Sequence, residues 1–278
     1  MHTKSNQAAA PLNNADILAQ LIGNKRSTFW LGHYSENEVL HLLAKFDILP
    51  VLKAKGCDHP LIIIEPLEAF EQALKIFNST ATTENLFVEL RLHETSFSHP
   101  NLMSGVPQPM LKIEWLMLQN PAATFSAEQP SLPGQRHPGL GLARRTLQLL
   151  VYLARQNHLT GVLNFPQFFH NAYLYLEHFW YCNPELKGIV LALRRDLYFL
   201  SLAELSWAIY LGCIFDEARG KIYEWQADAL VLPLEETVSQ CFSSPEYEQT
   251  MFTTMAIKKF VLQKEKFQLL YTQQAGVN

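Results

Sequence analysis

Six residues, Arg136-His-Pro-Gly139-Leu-Gly141, lead directly into an apolar-periodic stretch that begins Leu142-Ala143-Arg144-Arg145. Glycines at alternate positions permit close backbone approach and left-handed dihedrals, and the first turn of a helix starting here presents N–H groups without internal partners. The helix dipole places partial positive charge at the same point, to which Arg136, Arg144 and Arg145 add full charges. Such a place suits an anion, a pyrophosphate above all. The same pattern also serves as a plain helix-entry turn, and both readings stand at this level. A further group could move a proton, the carboxylate of Glu114, on a strand before the turn. Glu89, with Arg91 and His93, is a second carboxylate of this kind, or else part of a solvated sheet face. Tyr173 and Tyr175 fit half-buried packing positions on an amphipathic helix.

The elements that must position these groups follow from periodicity. Residues 86–94 alternate, with Leu86, Val88, Leu90 and Leu92 on one face and Phe87, Glu89, Arg91 and His93 on the other. Residues 111–118 alternate more loosely and place Leu111, Ile113, Trp115 and Met117 opposite Lys112, Glu114, Leu116 and Leu118. Residues 95–109 read as a long loop between the two strands. Residues 120–141 form a second loop, rich in Pro, Ala, Ser and Gly and of a length common in functional segments. A helix over 142–157, a strand over 161–165 and a helix over 168–178 complete this region. Asn164, Phe165, Pro166, Phe168, Phe169 and His170 crowd aromatic and polar groups after the second strand, as a substrate pocket or a packed core would.

Upstream, residues 36–53 carry a helical pattern started by the Ser35/Glu38 capping box and bent or ended by Pro50. Residues 60–65 suit a buried strand and 67–77 a helix, a helix, strand, helix opening. Residues 15–22 add another helical stretch after a polar leader at 1–14, and 15–278 reads as a single α/β domain. Downstream, 189–211 reads as one long apolar helix. Its Arg194, Arg195, Asp196 and Glu204 are costly in lipid and argue against a membrane span. A hairpin over 213–215 and 221–225 and a largely helical stretch over 235–273, broken near 243–245, end the chain.

Composition narrows the function. The 278 residues are 48% hydrophobic, enough for a sizeable core, and a net charge of −4 leaves no basic field for nucleic acid. Cys57, Cys182, Cys213 and Cys241 show no Cys-x-x-Cys spacing, which fits reduced thiols and a cytoplasmic location. The ten histidines form no His-Glu-x-x-His or Cys/His ligand cluster, so no metal is expected, and no Gly-x-Ser-x-Gly elbow is present. No membrane association is expected either.

Between a strand and a helix, Arg136, Gly139 and Gly141 fill the three defined positions of Gln/Arg-x-x-Gly-x-Gly/Ala, and here the sequence resembles the GNAT superfamily of N-acetyltransferases. The segment Asn171-Ala-Tyr-Leu-Tyr175-Leu-Glu-His-Phe179 is similar to the one that follows that family's fifth strand. His178 stands where the family carries glycine, and Pro138 has no N–H. The similarity is clearest over 110–181. It implies an α/β fold with a mixed central β-sheet flanked by helices, a GNAT-like core with extra N- and C-terminal helical elements. It further implies acetyl-CoA or another acyl-CoA as cosubstrate, its pyrophosphate held by Arg136 and the backbone of Gly139, Gly141, Leu142 and Ala143. Tyr175 would protonate the departing thiolate and Glu114 would serve as base. The function so implied is acyl transfer to a small-molecule or peptide amine by direct attack. The alternative is a noncatalytic GNAT-like module for ligand or protein binding, and a homodimer is an allowed assembly.

Overall fold

The computed structural model describes residues 29–68 and 71–274. Two helices, α1 (Glu36–Lys45) and α2 (Ile48–Ala54), precede four strands: β1 (Pro60–Glu68), β2 (Glu71–Asn78), β3 (Leu86–Phe97) and β4 (Gln108–Leu118). Helix α3 (Ala143–Gln156), strand β5 (Gly161–Asn164), helix α4 (Phe169–Tyr175) and strand β6 (Trp180–Tyr181) follow. Next come α5 (Pro184–Asp196), α6 (Leu202–Tyr210), the hairpin β7 (Ile214–Asp216) and β8 (Lys221–Ile222), and β9 (Leu230–Pro233). The described chain closes with α7 (Glu236–Gln240), α8 (Pro245–Ile257), β10 (Phe260–Leu262) and α9 (Lys264–Gln274).

The fold is α/β, as the sequence led one to expect. A mixed seven-stranded sheet runs β1-β2-β3-β4-β5-β9-β6, and a second sheet runs β10-β7-β8. Every neighbouring pair in the large sheet is antiparallel except β4 and β5. Parallel neighbours need a long crossover, and the segment containing α3 supplies it. Strand pairing puts Leu74, Ile76, Leu90, Leu92, Ile113 and Val162 on one face. They share a core with Val39 and Leu43 of α1, Leu52 of α2, and Leu149, Leu150 and Leu153 of α3. The α3 residues recur at helical spacing, so one stripe of that helix is buried. On the opposite face, Met110, Leu163 and Val231 pack with Val238, Phe242 and Met251 from the segment containing α7 and α8. Farther along that face, β2 and β3 carry Lys75, Glu89, Arg91 and His93.

Several sequence expectations are corrected. Residues 71–78 form β2 rather than a helix, because pairing with β1 and β3 on both sides overrides the helix-compatible composition of Glu-Gln-Ala-Leu-Lys. The opening is therefore helix, helix, strand, strand. The break in the first helical stretch falls at Asp47, in left-handed conformation with φ 55°, not at Pro50. Pro50 sits in the first turn of α2, where a missing N–H breaks no intrahelical bond. The single helix expected over 189–211 is two, α5 and α6, the second restarted by a Ser201/Glu204 capping box. Strands β3 and β4 extend into the expected 95–109 loop, and β6, β9 and β10, of two to four residues, were not foreseen. Helix α4 ends at Tyr175, short of the expected 178. The expected 1–14 leader and 15–22 helix lie outside the described residues. Among the described residues no helix is long and apolar enough to cross a membrane.

The charged residues at the end of α5 tie that helix to the segment running from Met255 to β10. Arg195 pairs with Asp196 at 2.8 Å and donates to the carbonyls of Met255 and Lys258, while Asp196 accepts from the Phe260 N–H at 2.9 Å. Arg194 instead lies over the Tyr173 ring, 4.8 Å from its centroid.

Candidate active site

The parallel pairing of β4 and β5 runs from Met110/Gly161 to Ile113/Asn164 and stops where β5 ends. Strand β4 continues to Leu118, so on that side its edge has no strand neighbour among the described residues after Ile113. A bulge sits at the same point: Arg91 of β3 faces Trp115 and Leu92 faces Ile113, which leaves Glu114 without a cross-strand partner. The alternation expected through Leu118 is reversed beyond the bulge, since Leu116 and Leu118 pair with Leu90 and Val88 and so join Ile113 on the core face. The open edge closes again at Gln119, which bridges to Gly139. There the Asn120 N–H donates to the Pro138 carbonyl at 2.8 Å, and the Leu140 N–H to the Leu118 carbonyl at 3.4 Å. Pro138, which has no N–H to offer a ligand, thus contributes its carbonyl to the turn. The result is a slot along residues 114–117, roughly 15 Å between Ile113 and Leu118 at the rise of an extended strand.

One end of the slot is the entry to α3. Gly141 has φ 72°, a conformation that L side chains rarely adopt, and the space where a Cβ would stand is open. Leu142 is fully buried and anchors the first turn in the core, whereas Gly141 and Ala143 are exposed. No side chain caps this helix, and its first turn holds no acidic residue. The arginines in ion pairs among the described residues are Arg91, Arg195 and Arg219, so Arg136, Arg144 and Arg145 have no carboxylate partner. The five residues expected to form an anion cradle, Arg136, Gly139, Gly141, Leu142 and Ala143, therefore lie together in one turn at the end of β4.

Tyr175 belongs to the other end. Its phenol lies beside the side chain of Asn164, the last residue of β5, and its ring meets Phe179 edge-on at 5.0 Å. Burial raises the phenol to about 12, against a smaller opposing effect of Asn164. Tyr173 stacks on Phe169 at 6.0 Å and is a packing residue. Across the sheet, Glu114 stands 2.5 Å from the Lys112 ammonium and 3.5 Å from Nδ1 of His93, a buried nitrogen that makes no hydrogen bond. Glu89 is committed to Arg91 at 2.7 and 2.9 Å, which makes it part of a structural ion pair. The strands' parting thus has a phenol on its core side and a carboxylate with an imidazole on the other. Asn164 and His93 acquire these positions through strand register, although both lie in segments that the sequence marked, 161–165 and 86–94.

The long loop between β4 and α3 also builds a second feature. Its Ser131 carbonyl accepts from Trp207 Nε1 at 2.8 Å, and Gly134 packs so closely on Phe168 that a Cβ would come within 2.6 Å of the ring. Beside it lies a cleft of about 440 Å³ lined by Phe168, Phe169 and His170 from one side and Tyr210, Tyr223 and Trp225 from the other. Trp225 Nε1 donates to the Pro166 carbonyl at 3.2 Å and holds the two sides together. The aromatic segment after β5 was legible as a pocket or a core, and it supplies both. Its partners on α6 and β8 carry no local signal. Neither Glu114, Tyr175 nor the cradle lines this cleft.

His170 is 2% exposed, its Nδ1 has no hydrogen-bond partner, and burial lowers its pKa to about 4. The unfolded chain would take up this proton near the ordinary value of about 6.5, before the native state does. Stability from this group is therefore full above that value and declines as pH falls towards 4, by about 3 kcal/mol in all. Urea unfolding at pH 7.5 and pH 5 measures it: His170→Phe should flatten the acid limb, and an unchanged limb would show that the imidazole is protonated in the native state.

No family model matches the sequence, and no curated protein matches it.

Proposed function

We propose that the chain is an acyl-CoA-dependent N-acyltransferase of GNAT type, which transfers an acetyl or other acyl group to an amine. The observation that carries this reading is the slot along residues 114–117, which joins the anion-suited turn at Gly139–Gly141 to the phenol at Tyr175. Coenzyme A presents the same features in order: a pyrophosphate, an arm with two amides, and a sulfur. The pyrophosphate suits the α3 N-terminus and its unpaired arginines. The arm suits an unpaired strand edge, as an added strand would.

In the reaction the amine nitrogen attacks the thioester carbon, the N–C bond forms and the C–S bond breaks. The proton lost from nitrogen passes to Glu114, directly or through water, with His93 as its neighbour. The electron pair leaves on sulfur. Tyr175, protonated throughout the neutral range, donates a hydrogen bond to that sulfur. A phenol near 12 is too weak an acid to surrender its proton completely to a thiolate, whose ordinary pKa is about 8.5, so its contribution is stabilisation of developing charge. The close Lys112 contact on Glu114 favours the second reading, a noncatalytic ligand-binding module, and a turnover assay separates the two.

Thermal melting tests the binding claim. Acetyl-CoA and coenzyme A at 100 times the dissociation constant should stabilise the fold by about 2.7 kcal/mol and raise the Tm accordingly. Gly141→Val, strained at this φ and bulky at the turn, should abolish the shift. No shift with wild type at millimolar acetyl-CoA would remove the reading.

A further inference from the structure

We infer that the aromatic cleft between α4 and α6 binds a hydrophobic primary amine. The cleft is assembled from the loop before α3, the start of α4, and elements from the C-terminal half of the chain, so it is separate from the turn and slot described above. Its volume of about 440 Å³ lies in the range of small-molecule sites. The floor is buried, with His170, Ser206 and Tyr223 at 2%, 2% and 7% exposure, whereas Gln167, Tyr210 and Glu224 at the rim are exposed. An enclosed floor beneath aromatic walls favours a flat apolar body.

Charge selects the ligand's head. No Lys or Arg side chain lines the cleft, although the Lys266 ammonium donates to the carbonyl of the lining residue Gly212 at 2.8 Å, and the one carboxylate there, Glu224, makes no ion pair. His170 is neutral at physiological pH because burial penalises its charged form. An anion would meet the carboxylate of Glu224, and the nearby Lys266 ammonium is engaged by the Gly212 carbonyl. A protonated amine would meet a free carboxylate and the faces of Tyr210, Phe168 and Trp225, surfaces that attract cations. The Ser206 hydroxyl is already spent on the Leu202 carbonyl at 2.6 Å, and Trp225 Nε1 on Pro166. The imidazole and the Tyr223 hydroxyl are the floor's polar groups without a protein partner, and both suit a ligand N–H.

His170 and Tyr175 lie on the same helix five residues apart, roughly 8 Å along its axis. Helix α4 thus carries both the floor of the amine cleft and the phenol at the parting of β4 and β5, on different faces of the helix. That this amine is the acyl acceptor rests on the acyltransferase reading; that the cleft binds a hydrophobic amine does not.

Isothermal titration calorimetry on the full chain with tryptamine, tryptophol and indole-3-propionate tests the inference, since the three share a ring and differ in the head. Tryptamine should bind, tryptophol about threefold more weakly, and indole-3-propionate weakest. Glu224→Gln should erase most of the difference between amine and alcohol, and Tyr210→Ala, at a rim position 61% exposed, should weaken tryptamine about tenfold. Equal binding of all three heads, no binding of tryptamine, or indifference to both substitutions would each overturn the inference. Amine binding without any acetyl-CoA melting shift would leave the cleft assignment standing and sink the acyltransferase reading instead.

Discussion

Tyr175→Phe is expected to slow acyl transfer about 100-fold while acyl-CoA affinity is unchanged. The substitution keeps the ring that packs on Phe179 and removes only the hydroxyl beside Asn164 at the end of β5. Loss of one preorganised donor to developing negative charge costs about 10²–10³ in rate. Because the phenol is pushed up to about 12, its ionisation does not enter the neutral pH range, and the wild-type rate should show no limb assignable to it there. Steady-state kinetics at saturating acyl-CoA, with thiol release as readout, measures the effect. A variant that keeps full turnover would reduce Tyr175 to a packing residue and leave the leaving group to solvent.

The second large effect is on stability. Lys258→Met should destabilise the fold by about 3–5 kcal/mol, because it strands the carboxylate of Asp216. Asp216 is 1% exposed and Lys258 7%, and their side chains meet at 2.7 Å where β7 pairs with β10. Arg219 compensates little: its guanidinium stands 3.9 Å away and is more than half exposed. Replacing both partners, Asp216→Leu with Lys258→Met, should recover most of the loss, since desolvation of the two charges offsets much of their attraction. Urea unfolding of the single and double variants checks this. A single-variant loss under about 1 kcal/mol would mean that water reaches Asp216 in the native state.

The parts of this molecule that were legible in its sequence are those specified locally. Helix α3 announces itself by an apolar stripe, and the turn before it by alternate glycines after Pro138. The strand at 161–164 and the aromatic run after it were equally clear, as was the alternation of β3. What escaped was decided by distant partners. Glu71–Asn78 reads as helix until β1 and β3 are placed on either side of it. The bulge at Glu114 is a property of two strands in register, so neither strand alone discloses that Leu116 turns inward. Strands β6 and β9 are too short to show a period, and they exist because the sheet edge beside β5 is there to be paired. The cleft joins residues 133, 168, 210 and 225, which only the fold brings together.

On the proposed function, the open edge of β4 and the turn at Gly139–Gly141 hold one ligand between them. Hydrogen–deuterium exchange with and without millimolar coenzyme A tests it most directly. Residues 114–117 and 139–145 should exchange readily in the free protein and gain protection together when the ligand is present, with the interior of β3 unchanged. Protection confined to other segments, or at neither stretch, would contradict the account.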